Sequence, residues 1–359
     1  MWYDGTNDDT PIDHLAQRRK VIDLCLFRKV APIIMSLKDR VSYPLKFHPI
    51  AKERLWGGKR LAPFFSLHSD ETIGEVWTLS GHKNGTSICK NGPLAGQSLT
   101  HIVSQYPELY LGKTDRSEFP LLIKFIHAEQ DLSVQIHPDD QYAQKYEGDF
   151  GKTESWYILE AKPGAKVNYG HTFPTRETYE QAVKEGRVEK YLQYKSVSKD
   201  DFVHVPSRTL HAIMNGVMLI EIQQTSDVTY RVHDWNRVDK HGNPRQLHTR
   251  QAADVLEFNE SVVADERTIV FQSDSVKHEH LVSCHYFTID KWDLSEGHSI
   301  PLGKKGQPDI LICARGSGVL SYRGSSIPIT RGDTLLVPAD LNNYEISPTD
   351  QMTVLRTYY

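Results

Sequence analysis

Two histidines, a glutamate and a glutamine in this chain have the types and positions that suit a divalent metal. Gln135 and His137 stand two apart in Gln135-Ile136-His137. On an extended strand such residues share one face, and Val134 and Ile136 take the other. A solvent-facing polar edge would show the same alternation, so the pair alone leaves both readings open. Glu154, in Gly151-Lys152-Thr153-Glu154, leads into the apolar stretch from Trp156 to Leu159. His211 stands at the start of another apolar run, Leu210 to Met214. Two imidazoles, one carboxylate and one amide oxygen suit a borderline ion such as zinc. They leave a position for water or substrate.

Short strands must bring these residues together. Residues 43–92 carry turn signals at Trp56-Gly57-Gly58, Ser80-Gly81 and Asn91-Gly92-Pro93, as short strands do. Apolar spacing predicts a helix from Leu94 to Leu111 and a second, charge-rich one from Thr175 to Leu192. Strands are predicted over Phe119 to Ile126, Val134 to His137, Glu154 to Glu160, Phe202 to Val205, Leu210 to Met214 and Val217 to Gln224. Residues 285–359 are almost all strand and turn. The pattern is mainly β, with barrels and helical insertions in the N-terminal part. A polar stretch at 251–266 places a boundary, giving 1–42 as a leader or helix, 43–258 as one domain and 259–359 as another. A weak repeat supports two similar halves. Asp201, Pro206 and His211 have the spacing of Asp333, Pro338 and Asn343. One half ends in a ligand and the other in an amide, so one metal site per chain is expected.

The chain's 359 residues are enough for two domains. A net charge of −4 gives no global field to attract nucleic acid or an acidic membrane. An anionic small molecule would need local lysine or arginine. Cys25, Cys89, Cys284 and Cys313 are scattered and form no closely spaced pair. They suit neither a disulfide framework nor a thiolate zinc site, and read as reduced thiols of a cytoplasmic protein. Gln17 to Lys20, followed by the apolar run Val21 to Met35, mimics a secretion signal. Asp23, Arg28 and Lys29 interrupt that run and no small-residue cleavage site follows. It is also too short and charged to span a bilayer. Met35 is a candidate natural start.

Beyond this, several segments resemble known ones. Pro206, His211 and Asn215 are spaced as in the second motif of the cupin superfamily, with Arg208 in the place of its glycine. Gln135-Ile136-His137-Pro138 and Gly151-Lys152-Thr153-Glu154 with Trp156-Tyr157 are similar to type I mannose-6-phosphate isomerases of the short bacterial form. So are Arg54 to Gly58, Ile73 to Trp77, Pro120 to Phe125 and Glu221 to Arg231. The matches run from about residue 43 to 359. The resemblance implies two cupin-type (jelly-roll) β-barrels. The first would hold one zinc ion through Gln135, His137, Glu154 and His211, and the second would lack ligands. The implied reaction interconverts mannose 6-phosphate and fructose 6-phosphate through an enediol. Zinc would polarise the carbonyl or hold two substrate oxygens.

The same resemblance assigns Arg231 and Lys152 to substrate or phosphate contact, with Lys124 as a third. Arg208 either touches phosphate or is an exposed loop arginine. Glu221 is the proton-transfer candidate, making Arg231, Glu221 and Lys152 the catalytic set. A two-residue hairpin at Asn215-Gly216 would place His211 opposite Ile220 and turn Glu221 away from the metal. A bulge, or a longer loop, between Asn215 and Glu221 is therefore expected. Without it, Asp227 or a metal-bound water would take the role. Trp56, Trp77, Trp156 and Tyr157 read as core. Alternatives are an isomerase or epimerase for another sugar, or a non-catalytic sugar-binding cupin. The expected partner is a small sugar phosphate, with the chain a monomer or weak homodimer in the cytoplasm.

Overall fold

Aliphatic and β-branched runs between glycine- and proline-rich turns become strands throughout a computed structural model, which describes residues 40–69, 71–239, 241–258, 267–303 and 306–359. The reading of the N-terminal leader falls on residues 1–39, outside the described ones. In the N-terminal part the strands are β1 (Leu45–Lys46), β2 (Ile50–Gly58), β3 (Ile73–Ser80), β4 (Leu121–Ala128), β5 (Val134–Ile136) and β6 (Glu154–Ala161). They continue as β7 (Lys166–His171), β8 (Leu192–Ser196), β9 (Phe202–Val205), β10 (His211–Ile213), β11 (Val217–Gln224) and β12 (Tyr230–His233). One sheet runs β2-β3-β4-β11-β6-β9 and a second β12-β5-β10-β7-β8. Their facing sides share a core in which Trp56, Trp156 and Leu219 of the first meet Val167 and Ile213 of the second. This is a jelly-roll sandwich of two antiparallel sheets.

The C-terminal part repeats the plan with β13 (Thr268–Gln272), β14 (Val276–Ser283), β15 (Thr288–Leu294), β16 (Ile300–Leu302) and β17 (Asp309–Arg315). It is completed by β18 (Ser317–Tyr322), β19 (Ser325–Thr330), β20 (Thr334–Val337), β21 (Tyr344–Pro348) and β22 (Met352–Tyr358). The sheets here run β1-β20-β17-β22-β15-β14-β13 and β16-β21-β18-β19. Thus β1, from the N-terminal part, is a strand of the C-terminal sheet, with Leu45 opposite Leu336.

The two sandwiches stand back to back. Ile123, Phe125, Ile220 and Ile222 of one pack with Ile289, Ile310, Ile312 and Leu355 of the other. Strand β11 therefore has both faces buried, which is why its sequence is a nearly continuous apolar run. Val217 and Leu219 face the inside of the first sandwich, while Met218, Ile220 and Ile222 face the second. By strand alternation Glu221 and Gln223 must point inside. The internal repeat has a structural counterpart. After each proline, Pro206 and Pro338, the chain leaves the sheet that faces the other sandwich and enters the outer sheet.

Helices decorate the N-terminal sandwich: α1 (Leu61–Phe64), α2 (Leu99–Gln105), α3 (Pro107–Tyr110), α4 (Asp140–Tyr146), α5 (Arg176–Lys184) and α6 (Thr249–Val255). The expected helix from Leu94 to Leu111 is divided at Tyr106, because Pro107 cannot continue a helix but suits the first turn of the next. The helix expected from Thr175 to Leu192 begins as read, with the Thr175 hydroxyl accepting from the Thr178 amide. It stops at Lys184, and Gly186 turns the chain with a φ of +64°. Helices α5 and α6 cover the outer face of the five-stranded sheet through Tyr179, Ala182, Ala252 and Val255. No helix among the described residues is long and apolar enough to cross a membrane.

Candidate metal centre

Gln135 and His211 are direct cross-strand neighbours on β5 and β10. His137 follows β5, and Glu154 opens β6 in the facing sheet. The centre is therefore built between two sheets at strand ends. The His137 Nδ1–H donates to the Val228 carbonyl at 2.8 Å, and the His211 Nδ1–H to the Thr209 carbonyl at 2.9 Å. Each bond leaves Nε2 as the acceptor of its ring, facing inward, where that of His137 lies 3.1 Å from Lys152 Nζ. The two Nε2 atoms lie 3.5 Å and 3.4 Å from the two Glu154 oxygens. All three residues are buried, and their donor atoms lie within 4.8 Å of one another. Among the described residues no second such group of three occurs. Asn343, in the corresponding place of the C-terminal sandwich, is exposed.

The donor set fits a divalent ion. Glu154 Oε2 is fully buried yet accepts no well-directed hydrogen bond, with Lys152 Nζ 3.0 Å away. The Lys152 ammonium offsets part of the cost of burying that charge, and a divalent ion would complete it. Burial, helped by the Lys152 charge, pushes His137 down to about 3. Burial also lowers His211. Both rings are thus neutral, as metal ligation demands. Burial alone would raise the Glu154 carboxyl, but the charges around it, the Lys152 ammonium first among them, outweigh it and hold it well below the usual range. The Gln135 amide lies 3.4 Å from His211 Nε2 through its nitrogen. A half-turn of the amide would present the oxygen instead.

Beside the centre, past Gln135, lies a cavity of about 490 Å³ whose lining includes Lys124, Lys152, Glu221, Asp227 and Arg231. With Gln135 and Trp56, which also line it, seven of the residues singled out from sequence are therefore in one place. Glu221 lies opposite Lys124 on β4 and Trp156 on β6. Its Oε2 is 2.8 Å from Lys124 Nζ. Burial and the nearby Glu154 charge raise its carboxyl, opposed by Lys124 and Lys152. Burial would lower Lys124, but Glu221 and Glu75 outweigh it and hold the ammonium charged.

Glu221 reaches this position by a route other than the one expected. Asn215-Gly216 does not close a hairpin, because β10 and β11 belong to different sheets. Gly216, with a φ of +82°, turns a corner between them. Strand β11 pairs with β4 in unbroken register from Val217 to Gln224. The one irregularity lies against β6, where Leu159 is the extra residue. No bulge in β11 is needed, since the two strands face each other across the sandwich.

Arg208 departs from the phosphate reading. It adopts a φ of +71°, the conformation for which the motif's glycine suits. Its guanidinium donates to the Val255 carbonyl at 3.0 Å and pairs with Glu257 at 2.8 Å, towards the end of α6. It is not among the residues lining the cavity. Replacing Arg208 with glycine should relieve about 1–2 kcal/mol of backbone strain. The surface ion pair lost is worth about 0–1 kcal/mol. Stability by thermal melting should therefore hold or rise, and turnover should stay within about twofold; a large rise in KM would restore Arg208 to the substrate site.

Arg54, Glu75 and Arg245 also line the cavity and carried no role in the sequence reading. The Arg54 guanidinium holds Glu75 with two bonds, Nε at 2.8 Å and Nη2 at 3.1 Å. Glu75 also accepts the Trp77 indole N–H at 2.8 Å. The signal of Arg54 and Glu75 was their membership of two resembling segments that were matched but given no chemistry; Arg245 lay in no such segment. Arg231 donates to Ser133 at 3.3 Å and to the Gln246 carbonyl at 2.9 Å. Beside it Arg245 is held by Asp234 at 2.7 Å. Asp227 accepts from Asn84 at 2.9 Å.

Comparison with known proteins places this geometry. Two family models match: phosphomannose isomerase type I, catalytic domain, over residues 45–165, and mannose-6-phosphate isomerase, cupin domain, over residues 277–358. The chain is 36% identical over 306 residues to mannose-6-phosphate isomerase ManA of Bacillus subtilis, covering 84% of this chain and 95% of that protein. It is 36% identical over 303 residues to mannose-6-phosphate isomerase of Streptococcus mutans, covering 84% and 94%. A crystal structure of mannose 6-phosphate isomerase from Bacillus subtilis matches with a TM-score of 0.83 at 32% identity, covering 88% of this chain and 100% of that one.

Proposed function

The chain belongs to the type I phosphomannose isomerases, and from that membership we propose that it interconverts mannose 6-phosphate and fructose 6-phosphate, with one zinc ion held by Gln135, His137, Glu154 and His211. One observation carries the reading most. The buried His137–Glu154–His211 group is flanked by Gln135, the cross-strand neighbour of His211, and by Lys152, 3.0 Å from Glu154, and these two line the same cavity as the Glu221–Lys124 pair. That cavity joins a Lewis-acid position to a base and a cation.

The reaction moves a proton between C1 and C2 through an enediol. Glu221 takes the proton from one carbon and returns it to the other; its raised proton affinity suits that exchange. Lys124, against Oε2, holds the carboxylate in place. Lys152, on the metal side of the cavity, stabilises charge that develops on the substrate oxygens. Arg231 and Arg245 supply positive charge for the phosphate. When bound, zinc supplies Lewis-acid stabilisation of that same developing charge. The substrate is a small molecule and no nucleic acid or membrane partner is needed. We read the chain as a cytoplasmic monomer or weak homodimer, with a sequence pI near 6.5 and no strong net charge.

A coupled assay with zinc-loaded protein tests the substrate. Mannose 6-phosphate should be turned over, and unphosphorylated mannose at least about a hundredfold less efficiently, as expected for losing two charge-assisted phosphate contacts. Equal turnover of both sugars, or none of either, would overturn the assignment.

A further inference from the structure

Trp156 is fully buried and, by composition, would pass for core. Its indole N–H has a more specific place. On β6 it stands two residues from Glu154 and on the same face. Across the ladder it is the direct partner of Glu221 on β11. From that position Nε1 donates to Glu154 Oε1 at 3.0 Å and to Glu221 Oε1 at 3.3 Å. The edge of the same ring system meets His211, with centroids 5.5 Å apart. One side chain therefore touches two members of the metal group and the proton-transfer candidate.

Two buried carboxylates repel each other, and each already has a cation on its outer oxygen. Lys152 lies 3.0 Å from Glu154 Oε2, and Lys124 lies 2.8 Å from Glu221 Oε2. The inner oxygens, Oε1 of each, share the single indole donor. We propose that Trp156 is a positioning residue for the isomerisation. Its N–H ties the Glu221 carboxylate to the metal group and fixes the rotamer from which Glu221 meets the substrate carbons. This rests on the isomerase reading above and adds to it the residue that sets the distance between metal and base. An apolar ring of the same shape would fill the space without that tie.

The test separates the N–H from the ring. Trp156 is replaced, in the full chain, by β-(3-benzothienyl)alanine, which keeps the bicyclic shape and puts sulfur in place of the N–H. Zinc content, thermal midpoint, kcat and KM for fructose 6-phosphate are then measured, alone and with Glu221→Gln. We expect kcat to fall about tenfold or more, as for loss of a hydrogen bond to a charged group. KM and zinc content should stay within about twofold. In the Glu221→Gln background the same replacement should bring no further loss of kcat, because the two act as one unit. Wild-type kcat in the benzothienyl variant would overturn the proposal. So would a loss confined to zinc content, or one of equal size with Glu221→Gln present. If Glu221→Gln alone keeps full activity, the proton-transfer reading fails instead, and this outcome is distinct from the others.

Discussion

Replacing His211 with alanine should remove the metal and the activity together. His211 reaches Glu154 from the opposite sheet, and its tautomer is fixed by the Thr209 carbonyl. Nothing nearby substitutes for it. Gln135, its neighbour on β5, offers at most an amide oxygen, a weak ligand without two imidazoles beside it. An ion that stabilises developing charge contributes several kcal/mol to the barrier, and about 4 kcal/mol is close to a thousandfold in rate. Turnover should therefore fall about a thousandfold or more, with zinc content by elemental analysis falling in step. Far-UV circular dichroism separates this from unfolding. The core beside His211 is continuous, so a strand spectrum close to that of the wild type is expected. Activity retained with metal lost, or metal retained with activity lost, would break the link between the site and the chemistry.

The second large effect is expected at Glu221. Glutamine keeps the shape and removes the charge. General base catalysis contributes about a hundredfold to ten-thousandfold, so kcat should drop within that range while KM changes little. In the wild type, kcat should rise with pH as the carboxyl loses its proton, since the base is active only when ionised. Burial and Glu154 raise that carboxyl, so the rise should lie above the ordinary carboxylate range. It should vanish in the glutamine variant. Stability should fall as well, because Lys124 loses a buried partner. Breaking such a pair costs about 3–5 kcal/mol, although Glu75 remains to offset part of the charge. A pH profile unchanged by Glu221→Gln would pass the role to Asp227, which lines the same cavity.

Much of this site was legible from local rules. Gln135 and His137 share a face because strands have a period of two, and both meet His211 because β5 pairs with β10. The alternation within Val217–Gln224 places Glu221 inside wherever the strand has two buried faces. What failed was the connection. A glycine after asparagine is a strong hairpin signal. Here the same dipeptide turns a corner between sheets, and sequence grammar does not distinguish the two. The error mattered little to the outcome, because facing sheets bring side chains together as well as neighbouring strands do. Arg208 was ambiguous for a related reason. Its type suggested phosphate, whereas its backbone angle reflects the turn and its side chain is occupied by Glu257. The tryptophans read as core, and they are buried. Composition could not show that the Trp77 and Trp156 N–H groups hold the carboxylates two residues back on their own strands, nor that Trp156 also reaches Glu221, which depends on the register between β6 and β11.

The metal centre remains the point on which the rest depends. Protein stripped with a chelator should be inactive on mannose 6-phosphate. Titrated with zinc, it should regain activity in proportion to the metal bound and level off at about one ion per chain, as for a single tetrahedral-type site. Full activity in the stripped protein, or recovery that does not follow bound zinc, would contradict the assignment of His137, Glu154 and His211 to the catalytic centre.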